Sequence, residues 1–129
     1  MRYLGIDYGK KRIGLAFGER GLARPLGSLP NNPDVVRKIG QICQKEAIDQ
    51  LVLGWSEDLR EEIEVLKGNL ESELGLPCEF EDETLTTRAG IATMLETGSR
   101  RKKRREEADA AAAAEILASF LVKKGGENV

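Results

Sequence analysis

Apolar and polar positions along the chain change period several times, and each change marks an element. The run Tyr3 to Ile6 ends on Asp7, and Ile13 to Phe17 follows after a short polar turn, which predicts two paired strands. Leu22 to Leu29 predicts a third strand, with Pro25 marking it as irregular or near an edge. After the break at Pro30 to Asp34, the positions Val35, Val36, Ile39, Ile42 and Cys43 recur at helical steps, and Asp34 is the expected cap. Ile48 to Gly54 contains Leu51, Val52 and Leu53 in succession, as a strand buried on both faces does. Leu59, Ile63, Leu66, Leu70 and Leu74 form a helical stripe stopped by Gly75 and Pro77. Cys78 to Asp82 predicts a short strand, and a helix carrying Leu85, Ala89 and Ala92, with Thr86 as its cap, is expected after it. Glu106 to Asp109 should open an alanine-rich helix that runs to about Lys123 and stops at Gly125 and Gly126. Three hairpin-type strands followed by alternating helix and strand predict a mixed five-stranded α/β sheet flanked by helices.

Composition narrows the chemistry. A chain of 129 residues with 40% hydrophobic and 33% charged residues suits one globular domain, residues 1–129. The net charge is −2, so any attraction to nucleic acid must come from local clusters of cations. Two such clusters stand out: Lys10, Lys11 and Arg12 beside Asp7, and the run Arg100, Arg101, Lys102, Lys103, Arg104, Arg105. No run is long enough to span a bilayer and the opening residues enter a strand directly, so a cytoplasmic protein is expected. Cys43 and Cys78 lie far apart and outside any CxxC spacing, which suits reduced core residues. The absence of histidine removes imidazole bases, histidine-ligated zinc and Ser-His triads, leaving carboxylates, hydroxyls, lysines or a bound metal to do chemistry.

The carboxylates are placed suggestively. Asp7 closes the first strand, and Asp82 and Glu83 occupy the same position at the end of the last one. Only one of those two can share the face of Asp7. Stepping back four residues from Ala113, on the apolar face with Ile116, Leu117, Phe120 and Leu121, lands on Asp109, which therefore points inward. A position in the first turn, where the helix dipole favours an anion, would explain Asp109 without any ligand. Glu57 and Asp58 look more like the first-turn acids of the helix that follows them.

Several of these stretches together resemble the YqgF-type pre-16S rRNA nucleases, also described as Holliday-junction-resolvase-like proteins. The segment Asp7 to Ala16 is similar to that family's opening D-x-G-x-K-R-I-G-V-A pattern, and Ala23 to Leu26 to the segment after it. Asp82 to Thr87 resembles its D-E-R-L-S-T block, and the basic run followed by Asp109 to Ala112 resembles its final one. The chain departs from the family at Thr84, where an arginine is usual, and at Gly54 to Leu59, which replaces G-L-P-L-N-x-x-G.

The resemblance implies a ribonuclease H-like fold and places Asp7, Glu83 and Asp109 on the family's acidic positions. Three such carboxylates suit oxygen-ligated Mg²⁺ or Mn²⁺, expected as two ions that support phosphodiester hydrolysis. Lys10, Lys11, Arg12 and Arg100 to Arg105 would hold the nucleic-acid backbone. The expected partners are pre-rRNA, a ribosome precursor or branched DNA, with the protein a monomer or a homodimer. Two other classes compete: phosphoryl transfer from ATP, which normally needs two such domains, and a binding module that keeps the fold without catalysis.

Overall fold

The computed structural model describes residues 1–82 and 101–127, with side chains described up to Asp82 and over 107–124. The helix expected around Leu85 to Leu95, together with Glu83 and Arg100, lies outside the described residues. Five strands form one mixed sheet in the order β3-β2-β1-β4-β5: β1 (Arg2–Asp7), β2 (Arg12–Glu19), β3 (Leu22–Pro30), β4 (Gln50–Trp55) and β5 (Cys78–Asp82). β1 pairs antiparallel with β2 and parallel with β4, and β4 pairs parallel with β5. Helices α1 (Val35–Lys45) and α2 (Arg60–Leu74) cover one face, and α3 (Arg101–Glu127) covers the other.

Strand alternation sorts the side chains. Leu4 and Ile6, Ile13 and Leu15, and Leu51 and Leu53 point toward α1 and α2, where they pack with Val35, Ile39, Ile63, Leu66 and Leu70. Tyr3, Ala16 and Val52 point the other way, against Ala113, Ile116, Leu117, Phe120 and Leu121 of α3. β1 and β4 are thus buried on both faces, and this explains their nearly continuous apolar runs.

The α3 face of the sheet is unusually thin. A Cβ on Gly5 would stand 2.8 Å from Leu117 Cβ and 3.0 Å from the Ala113 carbonyl, and a Cβ on Gly14 would fall on the carbonyl of Asp109. Small residues on the sheet meet the alanines of α3, so the helix lies nearly on the strand backbones.

Several boundaries differ from the sequence reading. α3 includes the cations from Arg101 onward and continues through Gly125 and Gly126 to Glu127. Lysine and arginine are good helix formers, and each interior glycine costs a helix only about 1 kcal/mol. Asp109 therefore lies beyond the first turn, and the helix-dipole explanation for it fails, because that effect fades within one turn. Asp34 makes no side-chain cap to α1. Asn32 does the local work, its Oδ1 accepting the Asp34 N–H at 3.0 Å and its carbonyl the Val35 N–H at 3.0 Å. β3 is an edge strand, as Pro25 suggested, and the pairing skips Leu26 between Leu15–Gly27 and Ala16–Pro25.

This packing sets the response to substitution at two glycines. Gly14→Ala should destabilise the protein by about 1–3 kcal/mol in chemical denaturation, because α3 must lift off the sheet. Gly68→Ala, where a Cβ meets nothing within 4 Å on α2, should be neutral or stabilising by up to about 1 kcal/mol. Separately, burial pushes the Cys43 thiol up to about 11 and the Cys78 thiol up to about 12, from 9.0. For Cys78, Lys67 opposes the rise and Glu71 and Glu79 add to it. In this window the unfolded chain loses thiol protons that the folded chain keeps, so stability should fall as pH rises from about 9 to about 11. Unfolding curves of Cys43→Ala/Cys78→Ala should show a shallower decline over that range than the wild type.

Candidate active site

Asp7 is the last residue of β1 and lies on the same face as Tyr3 and Gly5, the face that α3 covers. Its partner across the hairpin is Gly14. The Cβ position of Gly14 is only 3.2 Å from Asp109 Cα. With paired strands about 5 Å apart, Asp7 and Asp109 have Cα atoms within roughly 10 Å of each other on one face of the sheet. The missing side chain at Gly14 is what lets the two acids approach.

Arg12 begins β2 on this same face, and its Nε donates to Asp109 Oδ2 at 2.7 Å. The two side chains are 33% and 25% exposed, so the pair is partly shielded from water without being sealed off. The guanidinium has further N–H donors beyond the one used here. Arg12, expected from the sequence to hold nucleic acid, thus also fixes the rotamer of an acid. Lys10 and Lys11 project from the turn as exposed cations, and Gly9 makes that turn possible, since a Cβ there would fall on the Arg12 carbonyl. Asn31 ties the turn to the end of β3: its Nδ2 donates to the Gly9 carbonyl at 2.8 Å, and its backbone N–H to the Lys11 carbonyl at 2.9 Å.

The acids at the end of β5 separate by face. Cys78 and Phe80 turn toward α2, and Asp82, two residues on, shares their side and is exposed. Asp82 is therefore not on the face of Asp7. Glu57 and Asp58 are exposed in a short 3₁₀ turn (Glu57–Leu59) before α2, where Glu57 Oε1 accepts from Trp55 Nε1 at 3.3 Å. Of the second cationic cluster, Arg101 to Arg105 lie in α3. Among the described residues, no group of three or more His, Cys, Asp or Glu side chains is gathered.

Sequence reasoning missed Glu81. Its side chain is 5% exposed on the α3 face, where Oε2 accepts from Ser119 Oγ at 2.8 Å and Lys123 Nζ at 2.7 Å. This contact raises the Lys123 pKa, first through the hydrogen bond and then through the charge of Glu81. The available signal was alternation from Cys78, which assigns Glu79 and Glu81 to the face opposite the apolar positions of β5.

A family model described as RuvX, Holliday junction resolvase, matches residues 1–123. The chain belongs to the RuvX family. It is 30% identical, over 100% of both chains, to a Moorella thermoacetica protein named "Putative pre-16S rRNA nuclease". A Dictyoglomus thermophilum protein of the same name is 31% identical over 78% of this chain and 81% of its own. Among solved structures, this RuvX chain is similar to Thermus thermophilus RuvC in complex with a Holliday junction substrate, at a TM-score of 0.59 and 16% identity, covering 98% of this chain and 96% of that one. It is also similar to the Fowlpox virus resolvase with its Holliday junction DNA, at a TM-score of 0.64 and 9% identity, covering 95% and 98%. At such identities the likeness shows the fold, which is ribonuclease H-like. Membership in RuvX assigns the chain to a family of nucleic-acid hydrolases.

A double-mutant cycle on Arg12→Gln and Asp109→Asn should give a coupling energy of about 1 kcal/mol, as a half-shielded, charge-assisted contact does. Lys123→Met should lower the thermal midpoint by leaving Glu81 buried with only Ser119, and adding Glu81→Gln should restore much of the stability. Equal midpoints in Lys123→Met and wild type would show that Glu81 needs no cation.

Proposed function

We propose that this RuvX protein hydrolyses phosphodiester bonds with a divalent metal held by Asp7, Glu83 and Asp109, and that its substrate is the 5′ end of pre-16S rRNA. The observation that carries the reading is the stacking of Asp109 on Gly14, the strand partner of Asp7, which brings two acidic residues far apart in the chain close together on one face of the sheet. Because β5 turns Asp82 away from that face, Glu83 is the acid we assign from this pair.

Carboxylate oxygens without histidine or thiolate form a donor set suited to Mg²⁺ or Mn²⁺. Bound by Asp7, Glu83 and Asp109, such ions would supply an activated water and neutralise charge on the leaving oxygen. The chain's own residues do the rest. Asp7 stands on a strand buried on both faces, which fixes its backbone. Arg12 holds Asp109 in place and offers its remaining N–H groups toward the phosphate. Lys10, Lys11 and the run Arg100 to Arg105 draw the backbone in, so binding should weaken steeply with salt. Residues 1–129 act in this reading as one cytoplasmic nuclease domain. Among the described residues, no helix is long and apolar enough to cross a membrane.

A second reading has specific support: the family description and both resolvase-like structures favour a four-way DNA junction. Cutting two related strands of a junction calls for a two-fold homodimer, whereas trimming one rRNA strand needs only a monomer.

Labelled pre-16S rRNA leader and a four-way DNA junction, each with Mg²⁺, Mn²⁺ or EDTA, separate the two readings. Cleavage of the rRNA leader with either ion and not with EDTA is expected, falling about a thousandfold, or about 4 kcal/mol of barrier, in Asp7→Asn, Asp109→Asn and Glu83→Gln. Lys10→Ala/Lys11→Ala should reduce the slope of log affinity against log salt by about one for each phosphate that these lysines neutralise. Junction cleavage alone, by a protein that sediments as a dimer, would replace the first reading with the second. Cleavage that survives in the carboxylate variants would end both.

A further inference from the structure

Arg12 stands where the first hairpin turn, β2 and α3 meet. Its place in the sheet is set by pairing with Pro30. The next residue, Asn31, braces the turn, donating its backbone N–H to the Lys11 carbonyl at 2.9 Å and its Nδ2 to the Gly9 carbonyl at 2.8 Å. From that fixed backbone the Arg12 side chain reaches across the α3 face, where Nε donates to Asp109 Oδ2 at 2.7 Å. The two side chains remain 33% and 25% exposed, so solutes can reach the pair. This bond uses one N–H of the guanidinium and one oxygen of the carboxylate, and each group has hydrogen-bonding capacity beyond it.

We infer that Arg12 couples the two ligands of the site: its charge holds metal affinity down while no nucleic acid is bound, and a bound phosphate lifts that restraint. This coupling rests on Asp7, Glu83 and Asp109 being the metal-binding acids, and it deepens that reading by saying what controls their loading. The sign follows from charge. A cation hydrogen-bonded to one carboxylate lowers the net negative charge that a divalent ion meets, and like charges in a half-shielded site repel more strongly than in open water. A phosphodiester carries one negative charge. Held by N–H groups of Arg12 that Asp109 does not use, it offsets the guanidinium charge while the bond from Nε to Oδ2 stays in place. Metal and nucleic acid then favour each other's binding, and by linkage the effect is equal in both directions.

A merely structural Arg12 has the opposite signature. If the guanidinium did no more than hold the rotamer of Asp109, its loss would free the carboxylate, and metal affinity would fall together with nucleic-acid affinity. Under the coupling, its loss raises the first and lowers the second. Lys10 and Lys11 separate a local effect from one of overall charge, because they are exposed cations of the same turn while the hydrogen bond to Asp109 comes from Arg12.

Two binding measurements that need no cleavage provide the test. Free Mn²⁺ is followed by electron paramagnetic resonance with the protein alone, and affinity for a short single-stranded RNA is measured in EDTA. Arg12→Gln should bind Mn²⁺ about tenfold more tightly than the wild type and the RNA about tenfold more weakly. Arg12→Lys, which keeps the charge, should stay within about threefold of the wild type for Mn²⁺. Lys10→Gln/Lys11→Gln should weaken RNA binding and leave Mn²⁺ affinity within about threefold, since exposed charges are screened. Arg12→Met keeps the aliphatic stem and takes the place of Arg12→Gln if circular dichroism shows the amide variant unfolded. Mn²⁺ affinity that is unchanged or lower without the guanidinium overturns the coupling, as does an equal gain in the lysine variant. That result beside carboxylate-dependent cleavage would remove the coupling and leave the nuclease reading standing. The expected pair of shifts in a protein that cuts neither RNA nor DNA would do the reverse, and a wild type that binds no Mn²⁺ would end both.

Discussion

The close approach of α3 to the sheet is the constraint on which the rest depends. A helix normally stands off a sheet by the thickness of two layers of side chains. Here glycine at positions 5 and 14 and alanine at 110 and 113 remove much of both layers. The gain is geometric as well as energetic: an aspartate on the helix reaches the strand end where another aspartate already stands. A bulkier sheet face could bury as much apolar area and still hold Asp109 too far from Asp7.

Charge is handled by the same close approach. Two carboxylates drawn together repel, and the sheet supplies Arg12 from the strand beside Asp7 to offset this. At the β5 edge of the sheet, Lys123 and Ser119 hold the buried Glu81. α3 is thus fixed by polar contacts to β2 and to β5, with the apolar seam between them. These contacts set the height and the direction of the helix, while the seam supplies most of the attraction.

Much of this was legible in the sequence because it rests on periodicity. The two-sided burial of Leu51 to Leu53, the stripe from Leu59 to Leu74, and the inward position of Asp109 all follow from spacing alone. What was not legible depends on partners distant in the chain. Arg12 reads as a phosphate-binding cation, and only the fold shows that its Nε is already committed to Asp109. Glu81 reads as a surface acid until the helix arrives above it. A cationic run reads as a loop when its helix propensity is ignored, whereas Arg101 to Arg105 are part of α3. Asp34 looked like a cap because the type of residue fits, while Asn32 holds the geometry.

The ion pair between Arg12 and Asp109 spans 97 positions. A ribosome making this chain releases β1, the turn and Arg12 early, and these residues wait through nearly the whole of translation for their counterpart. Until α3 is made, Arg12 lacks the carboxylate it holds in the folded protein, and the hairpin has no helix over it. The contact is thus strongly non-local, and closing it ties the first hairpin to a helix that is made only near the end of synthesis.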